Sequence, residues 1–296
     1  MHRRTKDRLI QGGFFIAAFS CIVVLFLIMA FLIKEGLPLF KHYDAFKFLF
    51  GEYWYPTDEA NPEFGILPLI MGSLSVTVLS SMLAIPLGIM TSIYLAEIAR
   101  PRMRGIAKPM VEMLAALPSV VIGFFGMAIV APFLQDVFNL DTGLNMCNAA
   151  IMLAFMAVPT ITSLSEDAIY SVPNELREAS LALGATQWQT IFKVVLPASL
   201  SGISTAVILG MSRAIGETMV VLMVAGGAAL MPQSIFDPVR PMPASIAAEM
   251  AETPYQTDHY YALFAIGLVL FLFTLAFNII AAVIAEKKKQ VGAATL

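Results

Sequence analysis

Residues 194–236 read VVLPASLSGISTAVILGMSRAIGETMVVLMVAGGAALMPQSIF, and their only charges are Arg213 and Glu217. A helix needs about 20 mostly apolar residues to cross the hydrocarbon core of a bilayer. This stretch is long enough if two charges are accepted inside it, with a span from near Ser199 to near Ala229. Five wholly uncharged stretches accompany it, at residues 9–33, 64–96, 113–135, 142–165 and 259–285. The sequence therefore predicts an all-α, polytopic membrane protein with six transmembrane helices. The 64–96 stretch is too long for one untilted span and too short for two. Pro86 within it is expected to mark a kink, or a helix that outruns the bilayer.

Composition agrees. The chain has 296 residues, 58% of them hydrophobic and 13% charged, with a mean hydropathy of +0.80. An average soluble chain carries about 25% charged residues, so too little polar surface is available to cover a soluble globule. A soluble enzyme and a disordered chain are excluded. The net charge of −3 provides no basic face for nucleic acid. Cys21 and Cys147 lie in no CxxC or CxxH pattern and read as small apolar residues. The first apolar stretch exceeds the roughly 7–15 residues of a signal h-region, and no A-x-A site follows it. It reads as an uncleaved anchor.

Lysine and arginine set the expected orientation. Arg3, Arg4, Lys6 and Arg8 precede the first span, and Arg100, Arg102, Arg104 and Lys108 follow the second. Arg177 and Lys193 lie between the fourth and fifth, and Lys287, Lys288 and Lys289 follow the sixth. The alternate loops hold only Lys34, Lys41, Lys47 and Arg240. Both termini are expected in the cytoplasm, with loops 34–63 and 237–258 outside. No internal repeat is visible, which argues against the secondary-transporter folds that carry them.

No GxxxxGK[ST], GxGxxG or HExxH occurs, so nucleotide hydrolysis is expected to belong to a partner. Attention falls on the longest cytoplasmic loop. Pro173 suits the first turn of a helix, and Gly184 a left-handed position that ends it. Thr186 and Gln189 form a capping box for a second helix, along which Trp188, Ile191, Phe192 and Val195 make one apolar stripe. This helix–glycine–helix elbow either packs on its own fold or docks into a groove on a cytosolic partner.

The other candidate is the charged pair. An arginine at mid-membrane costs about 2.5–3.5 kcal/mol and calls for compensation. Arg213 and Glu217 are spaced to share a helix face and neutralise one another. One reading is an ion pair that fixes helix register. The other is an anion site on a transport path, because the guanidinium fork holds two oxygens of an oxyanion and stays charged at any accessible pH. Glu217 would then orient Arg213 and keep the site weak enough for release. Gly202, Ala206, Gly210 and Ala214 place a small residue every fourth position, which reads as close helix packing. Thr77 and Ser119 are weaker candidates for the substrate path, since membrane hydroxyls commonly bond their own backbone. Glu112 is expected to pair with Lys108, and Tyr53, Trp54 and Tyr55 to anchor at the interface.

Glu178-Ala179-Ser180, Gly184 three residues later and Val194-Val195-Leu196-Pro197 after nine more resemble the EAA loop of ABC importer permeases, departing from the family pattern at Ser180 and Val194. The run Arg213-Ala214-Ile215-Gly216-Glu217-Thr218-Met219 resembles the fifth-helix signature of phosphate importer permeases of the PstC type. Residues 114–123 (LAALPSVVIG) and Ile93-Tyr94-Leu95-Ala96-Glu97 are similar to the same family.

The resemblance implies a type I ABC importer permease fold. It divides the chain into an anchor and outer loop at 1–64, a permease core at 65–285 with its coupling loop at 166–197, and a tail at 286–296. It implies that Glu178, Ala179, Ser180, Gly184 and Trp188 couple to an ATPase. It further implies a bacterial inner-membrane importer of inorganic phosphate with a homologous second permease (PstA-like), a cytosolic ATPase dimer (PstB-like) and an external phosphate-binding protein (PstS-like). ATP would be hydrolysed by the partner subunits, and no cofactor is expected on this chain. Physics alone leaves other oxyanions, sulfate or molybdate, open. An ATPase-independent transporter and a regulatory membrane scaffold are the readings from other classes.

Overall fold

The computed structural model describes residues 2–58 and 61–293, with side chains over 11–58 and 61–283. The side chains of Arg3, Arg4, Lys6, Arg8, Lys287, Lys288 and Lys289, which set the expected orientation, lie outside the described residues. Among the described residues six helices are long and apolar enough to span a bilayer: Gln11–Lys41, Leu67–Ile98, Ser119–Phe138, Met146–Tyr170, Gln187–Ile215 and Asp258–Val283.

The chain opens with α1 (His2–Gly36), most of whose described apolar side chains are exposed, with Phe31 and Leu32 near its end meeting the last helix. A 3-10 turn at Leu37–Lys41, α2 (Ala45–Phe50) and a two-stranded antiparallel hairpin follow. In the hairpin, β1 (Trp54–Tyr55) pairs with β2 (Glu63–Phe64), placing Trp54 opposite Phe64. Then come α3 (Leu67–Ile93), closed by a π-turn at Tyr94–Ile98, and α4 (Pro101–Ala115). Next, α5 (Ser119–Phe125) and α6 (Ala131–Phe138) are joined by a second π-turn at Gly126–Val130. The remainder comprises α7 (Met146–Tyr170), α8 (Asn174–Ala182) and α9 (Gln187–Thr190), then a π-turn at Ile191–Val195 leading into α10 (Leu196–Ile215). Last are α11 (Met219–Val224), α12 (Met242–Glu249) and α13 (Asp258–Ala293).

The bundle is organised around α7, which buries Ala149, Ala150, Ile161 and Ile169 completely. Ile161 is held between Gly88 of α3 and Gly210 of α10. A Cβ at Gly88 would lie 2.7 Å from its side chain, and one at Gly210 2.5 Å. The small-residue stripe of α10 thus packs as its spacing predicts, with Ala206 and Ala214 buried as well. Pro86 lies inside α3 without ending it, and the helix continues through its π-turn to Ile98, outrunning a single span.

Three expectations change. The fifth span is not one helix from 199 to 229: α10 ends at Ile215, residues 216–218 are irregular, and α11 resumes at Met219. Hydropathy does not register a break whose flanks are equally apolar. The third span is likewise broken. Only its first residues, 113–115, belong to α4, whose remainder precedes the expected span, runs antiparallel to α7 and brings Arg104 and Lys108 against fully buried Glu166. Lys108 therefore pairs with Glu166 at 2.6 Å and Asp167 at 2.5 Å, and Glu112 has no ion pair among the described residues. Finally, Trp54 is no interface anchor. It is buried beneath the hairpin beside Leu39, Phe48 and Leu263, while Tyr53 and Tyr55 are exposed.

Candidate functional site

The two breaks lie at one level. Helix α4 ends at Ala115 because Pro118 cannot donate to the preceding turn, and α5 restarts at Ser119. Helix α10 ends at Ile215 and is capped by Gly216, with Arg213 in its last turn, where a cation favours the exposed carbonyls. The Arg213 guanidinium bridges them. Its Nη2 donates to the Ala115 carbonyl and its Nη1 to Thr160 Oγ1 of α7, both at 3.4 Å.

Thr160 follows Pro159, which lies inside α7. At about 1.5 Å per residue it is about 21 Å from one end of that helix and about 15 Å from the other. The arginine head is thus at mid-bundle, as its position in the apolar run predicts, although its own helix ends only two residues later. Irregular backbone at such depth is tolerated where it borders a cavity or is buried in protein.

Arg213 and Glu217 do not pair. The break at Gly216 takes Glu217 off the helix, and its Oε1 accepts from the Val220 backbone N–H at 3.4 Å. The two side chains border one crevice with Leu153, Met156, Ala157 and Gly210, too narrow to admit a water molecule. The guanidinium itself is exposed at the mouth. Its hydrogen bonds are long, so its capacity as a charged donor is largely unspent.

Of the other path candidates, Ser119 sits at the break with no side-chain hydrogen bond among the described residues. Thr77 lies elsewhere, buried in α3, where its hydroxyl donates to the Ser73 carbonyl at 2.7 Å. That hydroxyl is spent on its own helix. Thr160 was not singled out by the sequence. The signal available was a hydroxyl directly after a proline inside a span.

The elbow forms as the spacing predicts. Helix α8 is closed off just past its end by Gly184, whose φ of +84° is the left-handed region. Thr186 and Gln189 complete both bonds of the capping box on α9. A Ser180–Thr190 hydroxyl contact of 2.9 Å ties the two arms together. Between them lies a hollow of about 520 Å³ bordered by Ala179, Ser180, Gly184 and Gln189. Glu178 is exposed and makes no ion pair among the described residues. The apolar stripe does not form one face. The π-turn at Ile191–Val195 turns Ile191 and Val195 into the core and leaves Trp188 and Phe192 stacked outside, centroids 6.1 Å apart.

At the opposite end, Glu249 joins segments distant in sequence. It accepts from Trp54 Nε1 at 3.1 Å, from Arg240 Nη1 at 2.6 Å, and contacts His259 Nε2 at 2.8 Å. Burial raises its pKa, but the His259 and Trp54 hydrogen bonds and the Arg240 charge outweigh this and hold it below the usual range.

This architecture, six spanning helices with an elbow at one end and broken helices at mid-depth, is that of a multi-pass membrane protein. The chain belongs to the family of binding-protein-dependent transport system inner membrane components, whose model matches residues 84–290. It is a multi-pass membrane permease that works with an ATPase and a substrate-binding protein.

A probable ABC transporter permease protein, YqgH of Bacillus subtilis, is 40% identical over 88% of this chain and 85% of its own length. The phosphate transport system permease protein PstC of Mesorhizobium japonicum is 36% identical over 78% and 75%. In fold, the chain is similar to a bacterial ABC transporter involved in the import of the acidic polysaccharide alginate. There the TM-score is 0.62 at 15% identity, covering 96% of this chain and 99% of that one.

Proposed function

We propose that the chain is the PstC-like permease subunit of an ATP-driven importer of inorganic phosphate, forming half of the translocation path. The observation that carries this reading is Arg213, a permanently charged fork at mid-bundle, exposed and held by two long hydrogen bonds. Thr160 and Ser119 add hydroxyls at that level. The Ala115 carbonyl and the Glu217 carboxylate add acceptors, which suit an oxyanion that still carries a proton, as phosphate does near neutral pH and sulfate does not. The crevice holds nothing on its own, and a homologous PstA-like permease would close the path from the other side. Glu217 limits how tightly the anion is held, since conduction needs release as well as entry.

The elbow, through Glu178, Ala179, Ser180, Gly184 and Trp188, docks on a PstB-like ATPase dimer, and its exposed Trp188–Phe192 pair favours that role. The chain has no nucleotide site of its own and binds no cofactor. Loading comes from a PstS-like binding protein outside a bacterial inner membrane, with both termini cytoplasmic. Residues 65–285 form the permease core.

The test is to co-purify the chain with its neighbours and measure which anion, delivered by the binding protein, stimulates ATP hydrolysis and uptake. Phosphate is expected. Stimulation by sulfate or molybdate instead would replace the substrate, and uptake indifferent to ATP depletion would remove the ATPase.

A further inference from the structure

The elbow emerges covalently from α7 and returns covalently to α10, but nothing in the chain path joins it to α3. We propose that Arg177 and Glu97 form the tie that carries elbow movement into α3, making Arg177 a positioning residue for coupling. This rests on the docking role proposed above.

Glu97 lies in the π-turn that ends the α3 helix, with its side chain only 10% exposed. Both arms of the elbow hold this residue. From α8, Arg177 donates Nη2 at 2.7 Å and Nε at 3.1 Å to Glu97 Oε1. From α9, Gln187 Nε2 donates to the Glu97 carbonyl at 3.3 Å.

The rest of the guanidinium is spent on the end of α7, the turn after it and the first residue of α8. Nη2 reaches the Ile169 carbonyl at 3.0 Å, and Nη1 reaches the Val172 carbonyl and Asn174 Oδ1. One side chain thus fastens the first turn of the elbow to the ends of two helices. The neighbouring apolar packing, in which Leu176 of the elbow and Ile93 and Ala96 at the end of α3 meet a shared cluster of Ile169, Val172, Val195 and Ile203, is non-directional and permits sliding. The ion pair does not, because a planar fork engaged on several acceptors fixes both distance and angle. Lysine, a point charge whose three donors share one nitrogen, cannot reproduce it. Since α3 packs along α7 through Gly88 and Ile161, a pull on Glu97 is passed to the helix pair that flanks Thr160.

The experiment uses the whole transporter in proteoliposomes, with radiolabelled inorganic phosphate and ATP hydrolysis read together. In Arg177→Gln and Glu97→Gln the ATPase stays bound, and phosphate imported per ATP hydrolysed falls about tenfold, within the usual range of inter-site coupling. Arg177→Lys falls less. The double variant is no worse than either single one, because both remove the same tie. Normal coupling in Arg177→Gln overturns the proposal. So does loss of the bound ATPase in Arg177→Lys as well as Arg177→Gln, since Arg177 would then build the elbow instead of linking it. An unmutated complex that neither binds an ATPase nor responds to phosphate overturns the docking reading instead, and is recognised before any variant is made.

Discussion

Two arginines of this chain are solvated in opposite ways. Arg177, at the elbow, spends its guanidinium on one carboxylate, two carbonyls and an amide oxygen, with the Glu97 carboxylate at 2.7 Å. Arg213, at mid-bundle, touches one carbonyl and one hydroxyl, each at 3.4 Å, and its nearest acidic neighbour in sequence has been turned away by a helix break. A cation that serves structure is satisfied within the fold. The one proposed to meet the passing anion is left short of partners in a place where that shortage is expensive. The difference is a matter of backbone, since the same Gly216 that ends α10 separates Arg213 from Glu217.

The sharpest way to break the comparison is Arg213→Gln. Uptake should fall to background while the complex still assembles, because the side chain contributes little to packing. Transport at the unmutated rate would remove Arg213 from the path. Arg213→Lys should retain part of the activity, having the charge without the fork.

Next in size is the elbow itself. In Gly184→Pro the ring forbids a φ of +84° and removes the N–H that donates to the Leu181 carbonyl at 2.9 Å. ATP-driven uptake should be largely lost, and a charge placed by Ala179→Asp in the adjoining hollow should have a similar effect. Normal uptake in both would show that the elbow transmits nothing.

Glu166 extends the comparison to a third case, the satisfied charge in the core. It is wholly buried against Arg104 and Lys108, and removing one member of such a set costs about 3–5 kcal/mol. Glu166→Gln should lower the melting temperature of the purified chain in detergent, whereas Arg213→Gln should leave it nearly unchanged. Equal shifts in the two variants would erase the distinction between a structural and a functional charge.

What the sequence made legible follows the range of the interactions. Every determinant of the elbow is local: the proline, the left-handed glycine and a capping box spanning three residues, so its form could be read directly. Six apolar helices could be counted for the same reason. The breaks could not, because Gly216-Glu217-Thr218 is too short to interrupt hydropathy, and a pair at the spacing of Arg213 and Glu217 looks like a helical ion pair until the helix ends between them. The four cations at residues 100–108 disguised α4 as a loop, since Glu166, the partner of Arg104 and Lys108, lies 58 residues beyond Lys108. Within the stripe on α9, a π-turn changed which residues face inward, and periodicity at 3.6 residues cannot foresee that. Trp54 and Glu249, 195 residues apart, had no local signal at all.

The smallest expected effect concerns Glu249, at the far end from the elbow, and it tests whether that end behaves as structure alone. Its folded pKa is held below the unfolded value, about 4.3 for a free glutamate. A depressed carboxylate contributes stability that is fully present above the unfolded pKa and is lost as the pH falls through the folded one. Thermal stability of the purified chain should therefore be insensitive to this group above about pH 5 and decline below it as the grip on Trp54, Arg240 and His259 loosens. In Glu249→Gln that part of the acid dependence should disappear, leaving a lower and flatter profile. Phosphate uptake per ATP at neutral pH should change little, in contrast to the Arg177 and Arg213 variants. If uptake instead collapsed while the melting profile stayed put, Glu249 would have to be moved from the satisfied charges to those that act on the passing anion.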